Sequence, residues 1–191
     1  SSATGGRWRQ LETGPTREPK EAWDEDVDCS SSCRLAVTAN TVVVAEMDGD
    51  AVDLRALDAS SGEERWSERN LGGSSAQLQL VGNVLMVNTF DGSTPEVAAY
   101  DVSDGKRRWE VDGSFTGVSD GKVVLVSDSS QKESESIAVS LSDGDERWSG
   151  SGYPSGLCDG VAYLANEGDL VARDLGSGQE RWSERMDAED A

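Results

Sequence analysis

The chain has 191 residues, 37 acidic against 17 basic side chains, a formal charge of −20 and no histidine. Such a field disfavours nucleic acid and anionic membrane surfaces as partners, and the lack of histidine removes Ser-His-Asp and Cys-His nucleophiles together with the commonest general base. The length suits one domain with a real core, and no run of about 20 apolar residues reads as a membrane span.

Residues 1–22 carry Gly5, Gly6, Gly14, Pro15 and Pro19 among few apolar side chains and read as a linker or peripheral arm, with Trp8 as its one residue suited to docking. From residue 23 to 191 the pattern changes to short apolar bursts between turn residues. Trp23 lies in EAWDEDVD, followed by the Ser-rich loop Cys29-Ser-Ser-Ser-Cys33. TVVVAEM (41–47) then leads through Asp48-Gly49-Asp50 to AVDLRALD (51–58), a Ser61-Gly62 turn and EERW. The same order recurs as NVLMVNTF, VAAYDV, Asp104-Gly105 and KRRW. It returns as KVVLVSD, SIAVSL, Asp143-Gly144 and DERW, and finally as VAYLAN, LVARDL, Ser177-Gly178 and QERW. Segments of this length joined by Asp-Gly and Ser-Gly turns predict antiparallel hairpins, and no helical period competes.

One eleven-residue phrase punctuates the repeats: ALDASSGEERW, AYDVSDGKRRW, AVSLSDGDERW and ARDLGSGQERW, ending at Trp66, Trp109, Trp148 and Trp182. Trp-to-Trp steps of 43, 43, 39 and 34 residues from Trp23 onward match one four-stranded propeller blade each. Within the phrase, Asp58, Asp101 and Asp174 are placed to accept from backbone N–H groups and start a turn, with Ser140 in that place in the third copy. Gly62, Gly105, Gly144 and Gly178 are placed to take positive φ. The tryptophans are expected to wedge between blades with the indole N–H on a backbone carbonyl. Arg65, Arg108, Arg147 and Arg181, one residue earlier, are expected to be solvated or paired with nearby acids.

The phrase A-x-D-x-x-x-G-x-x-x-W, with strands such as Asp159-Gly160-Val161-Ala162-Tyr163-Leu164 after it, resembles the pyrroloquinoline-quinone-like (PQQ-like) β-propeller repeat over about residues 35–182. The resemblance implies an all-β propeller of antiparallel four-stranded blades, here about four units, which either close as a small ring or form part of a larger propeller. Trp23 takes the place of a fifth motif tryptophan. Members that are quinoprotein dehydrogenases use a full ring, a tryptophan floor, a calcium ion and a disulfide between adjacent cysteines. This chain has no Cys-Cys pair and no cluster that maps onto those ligands, so no quinone, PQQ or catalytic residue is expected.

Other candidate sites have plain structural readings beside the functional one. Asp48 and Asp50 resemble the start of a calcium loop, but Ala59 stands where its twelfth-position Glu would be. Phe115 and Tyr153 are read in loops after Trp109 and Trp148, where one rim would present both to a glycan or other ligand. Cys29 with Cys33 forms the expected local disulfide, Cys33 with Cys158 being the other candidate, and either implies an oxidising compartment. Without histidine or a second cysteine pair no zinc site is expected. The function expected is a non-catalytic, extracytoplasmic propeller serving as a protein-interaction or ligand-sensing module, with possible self-association. PQQ-like repeats resembling these occur in outer-membrane assembly scaffolds and in external sensor domains of bacterial membrane-anchored kinases; a targeting segment would lie outside this stretch. The alternatives are a fragment of a quinone- or calcium-dependent oxidoreductase and a glycan-binding propeller.

Overall fold

The computed structural model describes residues 6–12, 20–27, 32–92, 94–119, 121, 123–128 and 135–186. Among them are eighteen strands. Strands β1 (Gly6–Glu12) and β2 (Lys20–Val27) form a two-stranded antiparallel sheet, with Gly6 opposite Val27 and Glu12 opposite Lys20. The other sixteen form four sheets of four, each in sequence order: β3 (Ser32–Val37) to β6 (Glu64–Glu68), with β4 at Thr41–Asp48 and β5 at Ala51–Asp58; β7 (Ser75–Val81), β8 (Val84–Phe90), β9 (Pro95–Asp101) and β10 (Arg107–Asp112); β11 (Ser114–Ser119), β12 (Val123–Asp128), β13 (Glu135–Ser140) and β14 (Glu146–Ser151); and β15 (Tyr153–Cys158), β16 (Val161–Asn166), β17 (Asp169–Asp174) and β18 (Glu180–Arg185). These are the expected blades of an all-β propeller. Two compact units contain them, one comprising Ser1–Ser93 with Tyr100–Arg107 and the other Thr94–Ala99 with Arg108–Ala191.

The stretch read as linker or arm contains β1, whose backbone pairs with β2. Only Trp8 and Leu11 interrupt its polar sequence, so hydrophobic periodicity carried no strand signal there.

The second strand of the first two blades is covered on both sides. Along β4, Val43, Val44, Ala45 and Met47 are all buried, as are Val52, Leu54, Ala56 and Leu57 of β5. That is why TVVVAEM is a continuous apolar run where a half-exposed strand would alternate. In the second unit the same layer comprises Val123, Leu125, Ala138, Ala162, Leu164 and Leu175 around Trp148. First strands lie next to one another: β3 beside β7 in the first unit, and β11 beside β15 in the second.

The hairpin turns follow the residues that occupy them. Asp48 pairs with Ala51 across Gly49 and Asp50, and only Gly49 has positive φ (62°), the type II′ arrangement. Asn166 pairs with Asp169 across Glu167 (φ 47°) and Gly168 (φ 90°), both positive, as type I′ requires.

Candidate interaction site

Each eleven-residue phrase folds into the same corner between the third and fourth strands of its blade. In the first, the Asp58 N–H donates to the Glu63 carbonyl at 2.8 Å and the Gly62 N–H to the Asp58 carbonyl at 2.9 Å; the copies at Asp101, Ser140 and Asp174 repeat both bonds at 2.8–2.9 Å. The Asp58 carboxylate accepts from the N–H of Ser60 (2.8 Å) and Ser61 (3.0 Å) and from the Ser60 hydroxyl. Its other oxygen takes Arg65 at 2.6 Å. Asp174 does the same with the Ser177 N–H (3.0 Å), the Ser177 hydroxyl (2.9 Å) and Arg181 (2.7 Å). Arg65 and Arg181 are thus paired with the acid of their own phrase, as expected of arginines beside local carboxylates. The Arg65 guanidinium, then the Ser60 hydroxyl, holds the Asp58 carboxyl well below the usual range. Arg181, then Ser177, lowers Asp174 to about 2. Ser140 replaces the acid in the third corner, and its hydroxyl meets that of Ser142 at 3.0 Å.

The first alanine of the phrase faces its last tryptophan across the outer strand pair. Ala56 is in register with Trp66, Ala138 with Trp148 and Ala172 with Trp182, each next to a β-bulge. All three alanines are fully buried. A larger side chain would meet the indole, which accounts for alanine in every copy.

Each corner receives a tryptophan from the sheet that precedes it in sequence. The Trp23 indole N–H donates to the Ala59 carbonyl (3.0 Å), Trp66 to Val102 (2.8 Å), Trp109 to Leu141 (2.8 Å) and Trp148 to Leu175 (2.6 Å). Every acceptor is the residue directly after the corner's Asp or Ser. Three of them are held in place by their own N–H bonds to the turn between the first two strands, Ala59 to Asn40, Val102 to Asn83 and Leu175 to Gly160. Each indole also lies against the corner glycine. A Cβ on Gly62, Gly105, Gly144 or Gly178 would stand 2.6–2.9 Å from the ring of Trp23, Trp66, Trp109 or Trp148, and all four glycines have φ of 73–77°. Glycine is therefore required twice over, by the turn and by the ring. The sequence marked donors and glycines; it did not mark the acceptor carbonyls, because backbone groups carry no residue signature.

Trp182 differs from the other motif tryptophans. Trp66, Trp109 and Trp148 are 7–9% exposed, whereas Trp182 is 43% exposed. Among the described residues its ring meets that of Tyr163, with centroids 6.1 Å apart and planes tilted by 54°. No carbonyl among the described residues takes its indole N–H. Every residue of β18 is exposed, although Glu180–Glu184 has the same sequence, ERWSE, as β6.

A second feature was not legible in the sequence. Arg55, half-buried on β5, reaches Glu25 on β2 at 2.7 Å, Glu46 on β4 at 3.3 Å and Glu64 on β6 at 3.3 Å. Burial alone would lower its pKa; the three carboxylates outweigh that and raise it. The other blades place Ala98, Ile137 and Val171 at this position, three residues before the corner's Asp or Ser, so an arginine breaking an apolar pattern was the available signal.

Among the described residues, the remaining sequence candidates are not brought together. Asp48 and Asp50 sit exposed at the β4–β5 turn, and no group of three or more potential metal ligands occurs among the described residues. Phe115 and Tyr153 were expected in loops; they lie instead in first strands, Phe115 half-buried opposite Val126 in β11 and Tyr153 opposite Ala165 at the start of β15, 57% exposed. The Asp-Gly and Ser-Gly loops were placed correctly, but the strands after Trp109 and Trp148 begin within a few residues, so no separate rim loop is left for these aromatics. Cys158 is a free, exposed thiol, which removes the Cys33–Cys158 pairing, and Cys29 lies outside the described residues. A cleft of about 450 Å³ in the second unit is lined by Glu96, Glu110, Asp112 and Glu146 with no cation, an environment that repels anions.

A family model described as outer membrane protein assembly factor BamB matches residues 4–153. Among solved structures, BamB from Moraxella catarrhalis is similar at 17% identity and a TM-score of 0.59, over 87% of this chain and 56% of that one. Dihydro-heme d1 dehydrogenase NirN is similar at 15% identity and a TM-score of 0.61, over 97% and 43%. Quinohemoprotein alcohol dehydrogenase from Comamonas testosteroni is similar at 13% identity and a TM-score of 0.58, over 87% and 38%. At these identities the likeness is one of fold, and the chain spans about half the length of the solved structures it resembles. No curated protein sequence matches it.

Proposed function

Because this chain belongs to the family of the outer membrane protein assembly factor BamB, we propose that it is a non-catalytic protein-interaction module acting outside the cytoplasm. The observation that carries this reading is the family match over residues 4–153, whose description is that of an assembly factor. The chemistry of the corners supports it. The tryptophans, glycines and acids that make the family recognisable are spent on joining blades, and the acidic cleft offers no anchor for an anionic substrate. The finer form of the proposal is an external domain of a membrane-anchored protein such as a kinase, for which the Lys-poor acidic surface is the supporting feature. Cys33 is half of a disulfide, and we assign its partner as Cys29, a pairing that belongs to an oxidising compartment.

The competing class is an oxidoreductase fragment dependent on quinone or calcium. Titrating PQQ and Ca²⁺ while following tryptophan fluorescence, and assaying alcohol oxidation with a dye acceptor, separates the two. The proposal expects neither a saturable fluorescence change nor turnover. Quinone-dependent oxidation would overturn it. A glycan platform is favoured by one observation only, the exposed ring of Tyr153; Tyr153→Ala would then abolish retention on immobilised glycans.

A further inference from the structure

We propose that the acidic cleft lined by β9, β10 and β12–β14 receives an arginine side chain of a partner protein. The inference rests on reading the protein as an interaction module and names the chemistry that module recognises.

The repeat supplies the first support, because the same place in the first blade already holds a guanidinium. Arg55 stands three residues before its corner's Asp58 and opposite Val44 in the register of β4 and β5. Ile137 stands three residues before Ser140 and opposite Val126 in the register of β12 and β13. From its place Arg55 reaches Glu64, two residues before Trp66, at 3.3 Å and Glu25, two residues after Trp23, at 2.7 Å. In the third blade the glutamate two residues before the tryptophan is Glu146, and it lines the cleft together with Ile137. The carboxylate that meets a guanidinium in one blade therefore recurs in the other beside an isoleucine, which brings it no charge.

The last blade fills the equivalent space by a different route. Arg173, one residue before Asp174, lies against Gly150, two residues after Trp148: a Cβ on that glycine would stand 3.6 Å from Cζ of the guanidinium. Arg173 Nη1 donates to the Gly178 carbonyl at 3.1 Å. In the cleft the matching places hold Val139 and Val111. The first and last blades thus each insert an arginine of their own beside the corner, whereas the third has only apolar side chains at both arginine positions and leaves a volume of about 450 Å³ open.

The lining suits the same group in shape and charge. Val126 and Val139, both buried, and half-buried Ile137 offer apolar surface to an aliphatic stem. Glu96, Glu110, Asp112 and Glu146 supply the carboxylates, of which Asp112 and Glu146 are exposed. A planar guanidinium presents a fork of donors that suits more than one carboxylate at once, and a chain of charge −20 attracts a basic partner from a distance.

The test is a methyl NMR titration of the full 191-residue chain at low salt. The probe is a capped pentapeptide, one arginine between two pairs of glycines, beside its citrulline counterpart. The arginine peptide is expected to shift the methyls of Val126, Ile137 and Val139 saturably, and to leave unmoved those of Val44 and Leu57, the matching residues of the first blade. Citrulline keeps the shape without the charge and should bind about tenfold more weakly. Glu146→Gln combined with Asp112→Asn, both at exposed positions, should weaken the arginine peptide by about the same factor. Ile137→Arg gives the third blade the guanidinium that Arg55 gives the first, and should abolish the shifts. Shifts absent from the cleft, equal in the two blades, equal for citrulline or surviving Ile137→Arg would each overturn the arginine site without touching the non-catalytic reading. Quinone-dependent turnover, by contrast, would defeat that reading and leave the titration as it is.

Discussion

The Trp148 ring fills the space that a side chain on Gly178 would occupy: a Cβ there would stand 2.6 Å from Cγ of the indole. Gly178 also has φ of 73°, so alanine meets both a clash and a strained backbone. Gly178→Ala is expected to destabilise by about 3 kcal/mol or more, the sum of strain and overpacking. Gly168 has φ of 90° with nothing within 4 Å, and Gly168→Ala should cost only the backbone part, about 1–2 kcal/mol. Urea melts of the two variants check the difference; equal losses would mean that the ring does not depend on the glycine.

Removing an indole N–H should have unequal consequences at two sites. Trp148→Phe leaves the buried Leu175 carbonyl without its 2.6 Å donor, a loss of about 1–3 kcal/mol. Trp182→Phe removes an N–H that no described carbonyl accepts, and the monomer's stability should change by less than about 0.5 kcal/mol. Thermal melts at a concentration low enough to exclude self-association make the comparison.

Acid should loosen the corners. Arg65 and Arg181 depress the pKa of Asp58 and Asp174 in the folded chain, the latter to about 2. Groups with a depressed folded pKa contribute stability above their unfolded value of about 4 and lose it as pH falls toward the folded one. Denaturant midpoints should therefore fall between about pH 4 and pH 2, and Asp58→Asn with Asp174→Asn should flatten that part of the profile. Both carboxylates are partly open to water, so the slope is expected to shrink further in high salt. An unchanged acid slope in the double variant would locate the loss elsewhere.

Arg55 should govern the hairpin that precedes the first blade. One guanidinium reaches carboxylates on β2, β4 and β6, a geometry that a single ammonium cannot reproduce. Arg55→Lys is expected to lower stability by about 1–2 kcal/mol, with amide protection lost first in residues 20–27. Uniform loss of protection along the chain would show that the cluster supports the blade rather than the hairpin.

The corners were legible because their causes are local. An acid two or three residues before the N–H groups it accepts from, and a glycine four residues after that acid, express turn chemistry at fixed spacing, so repetition of the phrase exposes them at once. Arg55 was hidden because its three partners come from three strands whose pairing register no short-range pattern specifies. Strand β1 was hidden for a related reason: a polar strand paired on one edge has no periodic apolar face. Phe115 and Tyr153 were misplaced because the turn leading into each first strand is short, and a loop was inferred from the gap between motifs. The acceptor carbonyls of Ala59, Val102, Leu141 and Leu175 lay beyond any residue-level reading, although all four occupy one fixed place in the phrase.

Along the chain, the indole and the carbonyl it reaches are separated by 36, 36, 32 and 27 residues, while their distance in space stays between 2.6 and 3.0 Å. Nine residues can thus leave a repeat without disturbing the joint. Since each corner glycine and acceptor carbonyl is written within the phrase, a crossover between two copies of it would delete or duplicate one complete period and still leave the remaining joints intact. Gene lineages carrying this phrase are free to vary in blade number far more readily than in the eleven residues that make the connection.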